Sequence, residues 1–189
     1  YHSMKNVAIK GKYIPQNKGK FISRRTPVYR SMWERRFMIY CDKSENILEW
    51  DSESIHIPYI SPKDDRWHNY YPDFYIKYKD KNDHIINAII EIKPKYQMKW
   101  DVNFAKWKAC QKICMDAASI AKKGDITIEA DNLPNSSVLD MLHFMGANIN
   151  EINIREDDSG DTIFDIRVRY SNDEKFMQFK VLTKDELFE

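Results

Sequence analysis

The chain has 189 residues, 42% hydrophobic and 13% aromatic, enough to bury one sizeable core with a small appendage. No apolar run approaches the ~18 residues of a membrane span, and no signal-peptide pattern is visible, so the protein is expected to be soluble and intracellular. The formal net charge of +1 hides an asymmetry, because residues 1–36 carry a net +9 and residues 124–189 a net −9. A basic half can neutralise phosphates, although charge alone leaves a mutually compensating solvated surface equally open.

In chain order, Tyr1-His2-Ser3 read as an expression scar before Met4. The following arm to residue 28 holds Gly11, Pro15, Gly19 and Pro27 among scattered lysines, without helical or strand period, and reads as irregular. Ser31 opens a helix to about Lys43 as N-cap, with Glu34 at the capping-box position and Met32, Trp33, Phe37, Met38, Tyr40 and Cys41 as its apolar stripe. Strands are predicted at 46–50, 54–60, 67–78 and 85–93. A long helix follows from about Val102 to Lys122, with Phe104, Trp107, Ala109, Cys110, Ile113, Cys114 and Ala117 on its core side. Cys41, Cys110 and Cys114 form no CxxC pair, which favours reduced thiols packed in a core. Then come a strand at "DITIEA", a helix over about Ser136–Met145, and strands near 149–156, 161–170 and 175–182, with a hairpin turn at "EDDSGD".

Carboxylates interrupt the two most hydrophobic strands. Asp73 lies inside "YYPDFYIKY" and Glu91 closes "IINAIIE", with Lys93 two residues on, although an unpaired buried charge is expensive. If the two strands form a hairpin about Asn82, residues 73 and 91 stand opposite each other, with Cβ atoms about 5 Å apart. Glu91 and Lys93 share a face, so all three groups converge unless the register slips by one. Two such carboxylates repel unless a cation joins them, and oxygen ligands favour Mg²⁺ or Mn²⁺. A lysine beside the metal can orient a water and stabilise a pentacovalent phosphate. The alternative, an Asp/Lys/Glu ladder on a solvated hairpin, sits poorly with the apolar flanks.

Pro72-Asp73 followed by Glu91-Ile92-Lys93 resembles the signature of the PD-(D/E)xK nuclease superfamily. The stretches "YRSMWERRFMIYCD", "ILEWDSESIHIPY", "HNYYPDFYIKY", "IIEIKPK", "FAKWKACQ" and "FKVLTKDEL" are similar to the head-completion nucleases of large contractile-tailed phages, with TnsA-like endonucleases as wider kin. The resemblance implies an α/β, restriction-endonuclease-like mixed sheet flanked by helices. The core would occupy residues 29–123 and 174–189, after the scar and arm of 1–28. Residues 124–173 depart from that family and read as an inserted acidic α/β lobe. The resemblance implies Glu34, Asp73, Glu91 and Lys93 as catalytic residues. The metal would be held by Asp73, Glu91, the Ile92 backbone carbonyl and Glu34. Mg²⁺ would be the cofactor, with Mn²⁺ as substitute.

Lys18, Lys20, Arg24, Arg25, Lys95 and Lys106 are candidate DNA contacts, and His68 and Tyr70 resemble family positions. The expected partners are DNA, phage head or neck proteins and further copies of the chain, with no membrane. The expected location is the host-cell cytoplasm during infection, or the virion. Two other readings stay open: a homing or transposase-type endonuclease, and a non-catalytic virion protein that binds DNA ends. No P-loop, GxGxxG or HExxH motif is present to support ATP, dinucleotide or metalloprotease chemistry.

Overall fold

The apolar alternation of the paired strands demands two covered sheet faces, and the computed structural model supplies them. It describes residues 10–93, 97, 99–123, 126–129, 136–144, 147–148, 152–166, 169–170 and 177–182. In chain order the elements are β1 (Gly11–Lys12), β2 (Val28–Tyr29), α1 (Met32–Lys43), β3 (Ile47–Ser52), β4 (Ile57–Ile60), β5 (Trp67–Tyr70), β6 (Phe74–Lys79) and β7 (Ile85–Ile92). There follow α2 (Asp101–Lys123), β8 (Ile126–Glu129), α3 (Ser136–Phe144), β9 (Ala147–Asn148), β10 (Ile152–Glu156), β11 (Thr162–Ile166), β12 (Arg169–Tyr170) and β13 (Met177–Leu182).

The central sheet has the order β13-β7-β6-β3, with β13 parallel to β7 and the other pairs antiparallel. Successive side chains point to opposite faces. Phe74, Ile76, Ala88 and Ile90 therefore pack with Trp50 against Phe37, Met38 and Cys41 of α1. Tyr75 and Ile89 face the other way, onto Cys110, Ile113, Cys114, Ala117 and Ala121 of α2. Each fully buried large apolar side chain contributes about 1.5–3 kcal/mol, so these two layers fix the sheet between its helices. This is the α/β architecture expected of a restriction-endonuclease-like fold. Three cysteines, Cys41, Cys110 and Cys114, are buried free thiols, as their core positions required.

α3 joins the second layer through Val138, Met141 and Leu142, and Tyr75 stacks on Phe144 with ring centroids 4.2 Å apart. β8, β11 and β10 form a separate antiparallel sheet, whose β10–β11 hairpin turns at the expected acidic stretch. The pairing of β13 with β7 places residues 177–182 in the central sheet, while β8 belongs to the separate sheet.

Several boundaries differ from the sequence expectations, each for a physical reason. The strand expected over 67–78 is two strands in different sheets, because β5 pairs with β4 while β6 pairs with β3 and β7. Pro72 between them has no N–H to continue a ladder. The strand expected from residue 54 starts at Ile57, after Glu53 takes a left-handed φ of 51°.

The arm is not irregular throughout, since β1 pairs with β2. Its Phe21 also forms a parallel bridge to Trp50, with Trp50 N donating to Lys20 O and Ile22 N to Trp50 O. The arm thereby covers the open edge of β3, a surface that otherwise invites pairing with another chain. Buried Asp42 anchors it, accepting from the Tyr13 hydroxyl at 2.6 Å, Gln16 N at 2.8 Å and Asn17 N at 2.9 Å. On the helices, Met32, Tyr40 and Phe104 are exposed rather than in the core. They satisfy the helical period but face no opposing layer.

Candidate active site

The β6–β7 ladder pairs Phe74 with Ile90 and Lys77 with Asn87, the register expected from a turn about Asn82. Asp80 Oδ1 holds that turn by accepting from Asn82 N and His84 N. Asp73 lies one step beyond the last pair, and its Oδ2 accepts from Ile92 N at 2.8 Å. The ladder thus delivers Asp73 to the end of β7, where Glu91 is the strand's penultimate residue and Lys93 follows its last. Glu34 arrives from the first turn of α1. Ser31 Oγ accepts from Glu34 N at 3.2 Å, the first half of a capping box. The second half is displaced by one residue, because the Glu34 carboxylate accepts from Arg30 N rather than from Ser31 N.

These four groups line one cavity of about 390 Å³, together with Arg30, Glu53, Tyr59, His68, Asn69, Tyr70, Tyr71 and Lys106. Four carboxylates and three strong bases therefore share one recess. Glu91 is only 3% exposed and accepts a hydrogen bond from the Tyr70 hydroxyl. Burial raises its pKa from an ordinary 4.5 to about 7, against the pull of Lys93 and Lys106. Burial, and then the neighbouring Glu34 carboxylate, raises Asp73 to about 7 in spite of the Ile92 amide and Lys93. The Lys106 ammonium lies 5.7 Å from the Tyr70 ring centroid and 5.9 Å from that of Tyr59. Burial and the nearby Lys93 depress its pKa, while Glu91 opposes the shift. Raised carboxylates and a depressed lysine in one cleft make it a candidate functional site.

Not every candidate stands at the cleft. The Lys20 ammonium donates to the carbonyls of Cys41 and Asp42, each at 3.2 Å, and to that of Ser44, so it caps the C-terminus of α1. Arg25 Nη2 donates to the carbonyls of Ser52 and Glu53 at 2.7 and 3.0 Å. Lys18 and Arg24 are exposed on the arm. Lys95 lies outside the described residues. His68 lines the cavity, but its Nε2 is engaged by Asp64 Oδ2 at 2.8 Å. Trp107 packs against the core around α2.

The sequence reading missed Arg30 and Glu53. Arg30 Nη1 meets Glu53 Oε1 at 2.9 Å and Nη2 meets Oε2 at 3.4 Å. Arg30 stands beside the N-cap Ser31, where its position in the cleft could have been suspected. Nothing in "DSES" announces the left-handed turn that aims Glu53.

Among the described residues, no three His, Cys, Asp or Glu side chains converge closely enough to enclose a metal ion. The donor set suits Mg²⁺ nonetheless. That ion is commonly bound by one or two carboxylates while keeping waters and substrate phosphate oxygens. Asp73 and Glu91 offer two hard-oxygen ligands whose burial is otherwise poorly compensated.

Residues 44–118 match the TnsA-like endonuclease N-terminal family. That TnsA-like segment contains Asp73, Glu91, Lys93 and Lys106, whereas Glu34 precedes it. The chain is also 29% identical over 130 residues to the head completion nuclease of Enterobacteria phage T4, covering 57% of this chain and 84% of the relative. The resemblance read from "YYPDFYIKY", "IIEIKPK" and the flanking stretches is thereby borne out. No solved structure matches the chain. Among the described residues, no helix is long and apolar enough to cross a membrane.

Proposed function

We propose that the protein is a metal-dependent DNA endonuclease of the PD-(D/E)xK type that acts in completing a phage head, by processing or securing packaged DNA ends. The observation that carries this reading is the β6–β7 register, which sets Asp73 against the end of β7 in one cavity with Glu91, Lys93 and Glu34. The likeness to a phage head completion nuclease supports the biological setting.

Asp73 and Glu91 would hold a Mg²⁺ ion, for which Mn²⁺ would substitute, with the Ile92 carbonyl as a further ligand and Glu34 beside Asp73. When bound, the ion supplies charge neutralisation and Lewis acidity at a phosphodiester. The Lys93 ammonium orients the attacking water and stabilises charge developing on the phosphoryl oxygens. Tyr70 fixes the Glu91 carboxylate through its hydroxyl. Glu34, held by the Arg30 amide, supports Asp73. Lys106, its charge made costly by burial, gains from an incoming phosphate. The partners that follow are DNA and phage head or neck proteins, and the expected setting is the host-cell cytoplasm during infection or the virion.

The test incubates purified protein with linear and circular DNA in Mg²⁺, Mn²⁺ or EDTA. Cleavage in both metals, lost in EDTA and in Asp73→Asn, supports the assignment. Metal-independent cleavage, or full activity in Asp73→Asn, refutes it.

A further inference from the structure

The Arg30–Glu53 pair has no role in the chemistry above, yet both side chains line the cleft. The pair is forked, with two guanidinium nitrogens facing two carboxylate oxygens at 2.9 and 3.4 Å. A guanidinium presents that same fork to two oxygens of a phosphate. Glu53 is held by its backbone independently of this contact. Its N–H donates to Asp73 O at 3.1 Å, and its carbonyl accepts from Arg25 Nη2. Its left-handed φ of 51° is costly for a residue with a β-carbon, and such strain is retained mainly where surrounding structure enforces it.

We infer that Arg30 is a phosphodiester-binding residue and that Glu53 occupies it until DNA arrives. The inference rests on the reading of this cleft as a DNA-cleaving site and deepens it. The charge balance explains the need. Asp73, Glu91 and Glu34 already crowd the cleft with negative charge, and a phosphodiester brings more. Glu53 is the one lining carboxylate to which no metal role is given, and its side chain can leave while its backbone stays anchored. The side chains of Arg30 and Glu53 are 55% and 29% exposed. An ion pair at that exposure shifts an equilibrium by no more than about fivefold, so a bidentate phosphate can displace it. The guanidinium then passes from carboxylate to phosphate without losing its fork, and Glu53 turns toward solvent.

The experiment measures binding of a fluorescein-labelled 20-base-pair duplex in EDTA across a salt series, for Glu53→Gln, Arg30→Ala and the double variant. Glutamine keeps the size and backbone of residue 53 and removes the charge. Glu53→Gln should tighten binding about two- to fivefold. Arg30→Ala should weaken binding and flatten the slope of log K against log salt by about 0.9, the value of one lost phosphate contact. In the Arg30→Ala background, Glu53→Gln should leave that slope unchanged.

An unchanged slope in Arg30→Ala would overturn the phosphate contact. A Glu53→Gln variant that binds no better than the parent, or that steepens the slope even without Arg30, would overturn the occupation by Glu53. The measurement involves no cleavage. If these shifts appear in a protein that cuts no DNA, the nuclease reading fails while the Arg30 site stands. If cleavage is retained and the shifts are absent, only this inference fails.

Discussion

Glu91→Gln isolates the electrostatic cost of the buried carboxylate from the catalytic use proposed for it. Glu91 is 3% exposed, and burial raises its pKa from 4.5 to about 7. The folded protein therefore binds a proton at Glu91 more tightly than the unfolded chain does. Its contribution to stability is full below about pH 4.5 and is lost as pH rises through about 7. At 1.36 kcal/mol per unit, the loss amounts to about 3 kcal/mol in the absence of metal. Glutamine keeps the shape, offers Tyr70 an acceptor oxygen and does not titrate. Urea unfolding in EDTA, followed by tryptophan fluorescence from pH 4 to 8, should show wild type losing about 3 kcal/mol more than Glu91→Gln over that range. Asp73 continues to titrate in the variant, so its profile flattens without becoming level. Mg²⁺ at 100 times its dissociation constant should restore about 2.7 kcal/mol to wild type at pH 8. If the two proteins lose stability in parallel, the Glu91 carboxylate is not the burdened group and the reasoning is wrong.

Lys93→Ala should reduce turnover by at least ~10²-fold with metal affinity by calorimetry little changed; loss of metal binding with cleavage retained would make Lys93 structural. Glu34→Gln should impair cleavage while leaving the unfolding midpoint nearly unmoved, since capping contributes only about 1 kcal/mol; unchanged activity would reduce Glu34 to a cap. Asp42→Ala leaves the amides of Gln16 and Asn17 without their acceptor, and denaturation should show a loss of about 3 kcal/mol; a loss near zero would show that the arm is not anchored there.

The hairpin and its site were legible because they depend on period and arithmetic. Alternation placed Tyr75 and Ile89 on one face and Phe74 and Ile90 on the other. If the two strands formed a hairpin, the polar stretch "KDKND" was its turn, and a turn about Asn82 sets residue 73 against residue 91. What escaped were features set by tertiary closure. The break between β5 and β6 was signalled by Pro72, but the sequence did not say that β5 would leave for another sheet. The pairing of β1 with β2 has no periodic signature over two residues, and it exists because Asp42 and Trp50 hold the arm. Met32, Tyr40 and Phe104 obeyed the helical period yet found no partner layer. Glu53 was invisible because its left-handed backbone reflects its bonds to Asp73 and Arg25 rather than any residue preference.

Charge counting is where the sequence reading most needs refinement, because a net charge does not distinguish free cations from engaged ones. The arm's surplus suggested that Arg24 and Arg25 each neutralise a phosphate. Arg25 Nη2 is instead committed to the carbonyls of Ser52 and Glu53, at the strained turn that shapes the cleft. Arg24 is exposed on the same arm. The two neighbours should therefore respond differently. Arg24→Ala should lower the slope of log K against log salt by about 0.9 with no change in stability. Arg25→Ala should lower the slope by less and cost about 1 kcal/mol in denaturation, the worth of a hydrogen bond lost at each carbonyl after water compensates. Because Glu53 N in that turn also donates to Asp73 O, cleavage in Arg25→Ala should fall by more than its affinity does. Equal slope changes with unchanged stability in both variants would mean that Arg25 leaves its carbonyls for DNA. The arm would then bind DNA with both arginines, as the charge count alone suggested.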